Sequence, residues 1–524
     1  MEPAQTLFVR THSTSTQRFF STFTVLLATL TLVLAACDGD DVPASVQAPP
    51  GTPTAHAPQT PTEGHPPSDA DTPPTSPDQP AADAPPPPDA PDIDEPDVNE
   101  IPPAPGLDSA PPGLRIDLLI EITDPSDNQI LLEIGQAVAK RRELPLLQEV
   151  PVYLIRRNDI VAYLESGLDD GDRRENLAFE LSLRLLGLLD EDDDLSELQH
   201  DLFEGAVLGF YDPDIESFVI VSGNDGLSGR DLDTITHEFV HALQDQHFQI
   251  GETLERLSSN TDASLAFRFV VEGDATVAEG LFGDLITQFG PRLQAATDVL
   301  PGTRLTIPAI IQKIFFSPYI DGAFIVANLR NGPGVEAIDA ILDNPADSTE
   351  QLLHSVDPHI DFPELVPIVL PEPDVRGALG GQWELLGHDT LGEFIITEYL
   401  DQAIPRPDAG VAGVGWGGDR LSVYAGPDDA ALLAWHTAWD SEQDASEFFE
   451  MYAALMRETA NDVVELAAGR IFSASDGDRS IWMARAGAEV WVVSDTDTAA
   501  AIRVQQALST ELGIVGWEPS EDDG

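Results

Sequence analysis

His237-Glu238-Phe239-Val240-His241 lies between Asp231-Leu232-Asp233-Thr234-Ile235-Thr236 and Ala242-Leu243-Gln244-Asp245-Gln246-His247-Phe248, and the rest of the chain is read outward from it. Residues four apart on a helix project from one face, so the two imidazoles can share a metal ion, with the glutamate beside the metal's open position. This is the residue pattern of hydrolytic zinc sites. Ser228 with Asp231 three residues on forms a capping-box signal, and neither Gly nor Pro interrupts residues 231–248, which predicts one helix. Leu232, Ile235, Phe239, Val240 and Leu243 give that helix a buried side. By chance the five-residue pattern arises in roughly one chain of this composition in fifty, so the surrounding segments must carry the case.

The start of the chain sets the compartment. Arg10 and Arg18 precede an apolar run over residues 19–36 that closes in Leu34-Ala35-Ala36-Cys37. Small residues before a cysteine, after an apolar segment, resemble a bacterial lipoprotein signal peptide, in which the cysteine is lipidated. The expectation is a signal segment over 1–37, lipidation at Cys37 and a place in the bacterial cell envelope, anchored in the membrane and facing away from the cytoplasm. Cys37 is the only cysteine, so no disulfide is expected. Residues 38–112 are mostly Pro, Ala, Asp and Thr, too poor in large apolar side chains to offset chain entropy, and read as a solvated tether.

The net charge of -66 argues against nucleic-acid binding through basic patches, and the sequence predicts no nucleic-acid partner. An acidic, solvated surface is the simpler reading of that charge than a specific cationic partner. Asp169-Asp170-Gly171-Asp172 lacks the spacing of an EF-hand loop.

Folding is expected from about residue 113, with strands over 114–122 and 152–156, a helix over 129–142, a helix over 173–189 and a short one over 194–203. A hairpin follows, strand 206–211, the turn Asp212-Pro213-Asp214 and strand 217–221. Lying just upstream of the metal helix, it can act as an edge strand that aligns an extended peptide.

A catalytic zinc site needs three protein ligands and an open position. His247 falls on the outer frame of the longer HExxHxxGxxH motif, but Gln244 occupies the place of the glycine that would end the helix; the helix is expected to continue and carry His247 away. Phe267-Arg268-Phe269-Val270-Val271-Glu272-Gly273-Asp274-Ala275-Thr276-Val277-Ala278-Glu279-Gly280 offers a better source. It reads as an apolar helix carrying Glu272 and Glu279 two turns apart, and buried carboxylates call for a partner. Gly273 and Ala275 are small enough for close approach to the metal helix. Glu272 is the leading third ligand, with Glu279 as the alternative.

Residues 237–248 together with 271–276 resemble a bacterial and archaeal family of Glu-zincin metallopeptidases whose members carry HExxHALQDQHF and then an EGxAT segment. The resemblance extends more weakly to Gly209-Phe210-Tyr211-Asp212-Pro213, to Pro318-Tyr319-Ile320-Asp321-Gly322 and to Ser348-Thr349-Glu350-Gln351-Leu352-Leu353-His354, covering about residues 114–358. It implies a thermolysin-like zincin core, zinc on His237, His241 and Glu272, and Glu238 as general base. It also suggests Tyr319 and His354 as donors to the tetrahedral oxyanion. The thermolysin pattern places an imidazole-orienting aspartate four residues after the zinc glutamate, where this chain has Thr276; Asp274 or Asp245 is the substitute candidate.

Beyond the catalytic part, helices are expected over 307–316 and 322–331, then a Pro-rich connector over 363–373. Strands near 421–425, 432–439, 471–474, 481–485 and 489–494, with helices over 442–457 and 496–508, predict a small two-layer α+β unit within residues 374–516. His436 has no acidic or cysteine neighbour at ligand spacing and is expected to pack. Residues 517–524 form an acidic tail. The fold class expected is thus α+β: a zincin-like domain over 113–362, a helical segment and the small α+β unit. The function expected is that of a lipid-anchored zinc metallopeptidase with peptide or protein substrates; a surface-tethered scaffold that retains the fold without turnover is the alternative from another class.

Overall fold

The computed structural model describes residues 30–32, 101–104, 106–168, 170–190, 193, 195–223, 226–281, 288–289, 292, 308–354, 375–467, 469–476 and 479–511. The lipobox 34–37, nearly all of the tether, the connector 363–373 and the tail 517–524 lie outside them. The fold is mixed α+β with two sheets.

The first sheet has five strands: β1 (Leu30–Leu32), β2 (Ile120–Glu121), β3 (Val152–Ile155), β4 (Val207–Asp212) and β5 (Ser217–Val221), in the order β1-β4-β5-β3-β2. β3 runs parallel to β5, and β4 and β5 form the expected hairpin in antiparallel register, Phe210 opposite Val219. Among the described residues, the other side of β4 pairs with the three residues of β1, which belong to the apolar run read as a signal segment. The strand expected over 114–122 is reduced to β2, preceded by a 3-10 turn at Ile116–Leu118, and the following helix begins earlier, at Pro125, capped by Asp124. Proline at the first helical position forgoes a hydrogen bond the helix would not make there, which is why the start moves upstream.

The metal helix, Leu232–Phe248, follows a 3-10 turn whose Ser228 and Asp231 make the reciprocal capping box. Its apolar side packs on the first sheet through Ile235, Phe239, Val240 and Leu243, together with Phe218 and Ile220 of β5. Gly209 on β4 allows this close seating, since a Cβ there would lie 2.6 Å from the Thr234 methyl.

Two long helices complete this half. Thr261–Leu281 carries the second acidic segment, and Ala309–Asn331 is a single helix through Pro318, where the sequence suggested two pieces. An interior proline costs a helix about 3 kcal/mol; here the long contact between these two helices offsets it. They meet at glycines: a Cβ on Gly273 would come within 2.4 Å of the Gly322 backbone, and one on Gly322 within 2.4 Å of the Phe269 carbonyl. Gly273 therefore serves the approach of Ala309–Asn331, not of the metal helix, whereas Ala275 does sit among metal-helix side chains. By length and composition Ala309–Asn331 is apolar enough to span a membrane, but half of that stretch is buried inside the fold.

The second sheet is larger than expected. β6 (Glu384–Asp389), β7 (Trp416–Ala425), β8 (Ala431–Trp439), β9 (Asp462–Ala467), β10 (Ile471–Asp476), β11 (Arg479–Ala486) and β12 (Glu489–Asp495) pair in the order β6-β7-β8-β12-β11-β10-β9, antiparallel throughout. Strict alternation gives it two buried faces: Leu433, Trp435, Met483 and Val492 meet Phe448 and Tyr452 of helix Glu442–Thr459, while Leu432, Trp482, Trp491 and Val493 meet Ala500, Val504 and Leu508 of helix Thr498–Glu511. Helices thus cover both faces, making three layers where two were expected. The core containing Trp435 and Phe448 is continuous with that containing Phe267, Phe269 and Tyr319.

Candidate metal centre

The helical register of Leu232–Phe248 puts His237 and His241 on the side turned away from the sheet, their ring centroids 4.7 Å apart. Thr261–Leu281 crosses that side and presents Glu272. His237 Nε2 and His241 Nε2 each lie 3.3 Å from the same carboxylate oxygen, Glu272 Oε2. One atom of each residue falls within a 4.8 Å cluster, and all three side chains are buried. Zinc bonds of about 2.0–2.1 Å in a tetrahedron set its donors about 3.3–3.4 Å apart, so these two separations match the ion. Glu272 Oε1 is buried and makes no regular hydrogen bond with a described residue, the Tyr319 hydroxyl being the donor that acts on this carboxylate. Two imidazoles and a buried carboxylate are a donor set that fits zinc.

The electrostatics follow from burial. Burial alone would push the Glu272 carboxyl up, but the flanking His241 and His237 outweigh it and hold it below the ordinary carboxylate value. For His237, burial works downward and Glu272, Glu279 and Glu238 work upward, leaving it at about 10.

Side chains behind the two imidazoles fix the rings. Gln244 Nε2 donates to the Val271 carbonyl at 3.1 Å and to Asp274 Oδ2 at 2.9 Å. Its Oε1 is thereby left to accept, and it lies 2.9 Å from His241 Nδ1. The proton of His241 must sit on Nδ1, which frees the Nε2 lone pair for a metal. Asp274 is in turn held by the buried Arg142 at 2.7 Å, and Arg142 also reaches Asp339 at 2.5 Å. Behind His237, Glu279 Oε2 lies 3.5 Å from Nδ1.

Glu238 is fully buried beside this cluster, and the backbone N–H of Tyr211 on β4 bonds to its carboxylate. Burial pushes its carboxyl well above the ordinary range, opposed by His237 and assisted by Glu272. The Tyr319 ring stacks on His237 with centroids 6.1 Å apart. Burial, then the charges of Glu272 and Glu238, raise its phenol well above the usual value, so the hydroxyl keeps its proton.

Of the residues read from sequence, His237, Glu238, His241, Glu272 and Tyr319 come together here. His354 does not join them: its Nε2 sits 2.9 Å from both oxygens of Glu393. Its helix, Thr349–His354, is pinned through Thr349 to Asp262, ten residues or about 15 Å along the helix from Glu272. His247 turns to the Pro145 carbonyl at 2.8 Å, the helix having continued past Gln244 as expected. Glu279 stands behind His237 Nδ1, a position for orienting the ring, while Glu272 occupies the ligand position. Asp274 orients an imidazole through Gln244, whereas Asp245 accepts from the Tyr211 hydroxyl and the Gly251 N–H. Thr276, where the thermolysin pattern has aspartate, leaves its hydroxyl buried without a hydrogen bond. His436 packs, stacked on Trp491 at 3.7 Å. Cys37 lies outside the described residues.

Gln244 was visible in the sequence only as a missing glycine. Its amide bridges two helices distant in sequence, so the signal that would have found it is the tertiary crossing itself.

The model of a domain of unknown function, DUF8575, matches residues 383–505, which contain all seven strands of the second sheet and none of His237, His241 and Glu272. No curated protein matches the chain. No solved structure matches it either.

Proposed function

We propose that this chain is a zinc metallopeptidase of the Glu-zincin type that hydrolyses peptide bonds. The observation that carries this reading is the pair of 3.3 Å separations from Glu272 Oε2 to His237 Nε2 and His241 Nε2, with the buried Glu238 alongside. Zinc held by His237, His241 and Glu272 would supply a Lewis acid at the scissile carbonyl and a water of pKa about 7. Glu238, ionised once zinc adds its positive charge to the cluster, takes the proton of the attacking water and returns it to the leaving amine. The Tyr319 hydroxyl donates to the oxyanion that develops on the carbonyl. An extended peptide adds to the outer edge of β4, the side that β1 occupies here, and main-chain pairing aligns it irrespective of its side chains.

The lipobox ending in Cys37 and the acidic tether suggest an enzyme anchored by lipid to the bacterial cell envelope and working outside the cytoplasm. Mass spectrometry of the processed N-terminus tests this: a diacylated Cys37 is expected, and cleavage elsewhere with a free thiol would remove the anchor. The catalytic reading is tested by metal analysis of the purified protein together with cleavage of an unfolded protein. Stoichiometric zinc and chelator-sensitive cleavage are expected; neither should survive His237→Ala.

A further inference from the structure

Away from the metal ligands, a cavity of about 370 Å³ is enclosed by helix Asp170–Leu186, the N-terminal half of Thr261–Leu281, and strands β6 and β7. None of His237, His241 or Glu272 lines it. Its walls include Phe179, Leu265, Ile314 and Leu421, and two arginines, Arg268 and Arg420, reach it.

Arg268 is the anomaly. It is 4% exposed, yet its Nε and one terminal nitrogen make no hydrogen bond with any described residue. Arg420 Nε and the Ser264 hydroxyl are likewise buried without a partner. In a chain with 92 acidic and 26 basic side chains, a buried guanidinium that forms no ion pair with a described carboxylate, Glu272 acting on it through its charge alone, cannot be put down to a shortage of anions. Arg142, equally buried, is answered by Asp274 and Asp339. Of the acids that line the cavity, Asp389 is taken up by the Thr261 N–H and hydroxyl and the Thr390 N–H. Glu175, on helix Asp170–Leu186, also lines it and forms no ion pair with either arginine. Burial pulls Arg268 down to about 10, so it remains a cation at neutral pH. An unpaired buried charge is costly, and the cost is relieved when a ligand brings the opposite charge. The unsatisfied groups are all donors, which selects an acceptor-rich anion, while the apolar walls select against a fully hydrated one such as phosphate.

We propose that this cavity binds a small carboxylate with an apolar body, the carboxylate held by Arg268 and Arg420 and the body by Phe179, Leu265, Ile314 and Leu421. His237, His241 and Glu272 do not line the site, although Arg268 lies one helical turn from Glu272 and its charge acts on Glu272 and Tyr319; the proposal does not rest on the peptidase reading. A free acid and the carboxyl end of a peptide share this chemistry.

Calorimetric titration of the purified full chain with N-acetyl-leucine, N-acetyl-leucinamide and inorganic phosphate tests the site, beside the variants Arg268→Met and Arg420→Met. The acid should bind at least tenfold more tightly than its amide and than phosphate, and each variant should weaken it at least tenfold. The Arg268→Met protein should also keep or raise its unfolding midpoint, because the change removes a buried charge two of whose three nitrogens bond no described residue; a purely structural arginine would lower it. Should that variant misfold, Arg420→Met alone decides. Equal binding of acid and amide, no binding of the acid to wild type, tighter binding of phosphate, or unchanged binding by a folded variant would each overturn the proposal. Titration with N-acetyl-(Ala)4-Leu then assigns the source: binding comparable to the small acid supports a chain end, and binding of the small acid alone supports a free one.

Discussion

Gln244 Oε1 lies 2.9 Å from His241 Nδ1, and the same amide donates to Asp274 and to the Val271 carbonyl, so one side chain sets the tautomer of an imidazole on its own helix by reading the helix that carries Glu272. The residue that rules out the longer three-histidine motif is therefore the one that readies the two-histidine site. Gln244→Leu should keep the helix and lose the orienting bond. Removing such an outer partner typically weakens metal binding about 10–100-fold. Competition with a chelator measures it; unchanged affinity would show that the ring needs no such support.

Asp274 joins this relay to a buried ion pair with Arg142, whose exposure is 0%. Asp274→Ala leaves the guanidinium with Asp339 alone and strips Gln244 of its anchor. Breaking a buried pair from one side costs about 3–5 kcal/mol, and the partner that remains puts the expectation near the lower end. Denaturant unfolding reads the loss directly, and a change below about 1 kcal/mol would mean the pair is not held as described.

The site was legible in sequence where its chemistry is local. His237, Glu238 and His241 follow from helical spacing, and Glu272 from a carboxylate on an apolar helix. Tyr319 and His354 came from resemblance alone, and only Tyr319 reaches the cluster, because the Gly273 and Gly322 crossing delivers its helix there. Gln244 and Arg268 depend on how helices pack, which no spacing encodes, while Glu279, read from spacing as the alternative ligand, stands behind His237 instead. In the second sheet the missed strands β6 and β9 are the two edges; Glu384–Asp389 and Asp462–Ala467 carry polar residues that blur the alternation seen in the central strands.

The crossing of Gly273 and Gly322 predicts a steep cost for even one methyl group. Gly322→Ala would set a Cβ against the Phe269 carbonyl, and backbone cannot swing aside as a side chain would. Overpacking of this kind typically costs about 1–3 kcal/mol, and activity should fall further as Tyr319 withdraws from His237. Thermal unfolding and cleavage assays on the same preparation check both effects; a stable, fully active variant would refute the close contact.

Stability should rise on mild acidification. Asp495 is buried, one of its oxygens lacks a hydrogen bond, and burial and Asp497 raise it to about 7, while Asp212 and Asp389, lifted chiefly by burial, stand at about 6. Between their unfolded value of 3.8 and these folded values the native state holds more protons, so stability falls as pH rises through about 6–7 and is regained on the way down. The net charge of -66 adds repulsion of the same sign. The unfolding midpoint should therefore increase from pH 8 to about 5.5, and Asp495→Asn should flatten part of that slope. A midpoint that drops over this interval would contradict the buried-carboxyl reading.

Glu238→Gln bears most directly on the catalytic claim. The change is nearly isosteric and removes no ligand, so zinc content and the unfolding midpoint should match wild type. Cleavage of an unfolded protein should nonetheless fall by about 10²–10⁴-fold, the usual cost of losing a positioned general base. Wild-type cleavage by a zinc-loaded, folded Glu238→Gln protein would contradict the mechanism.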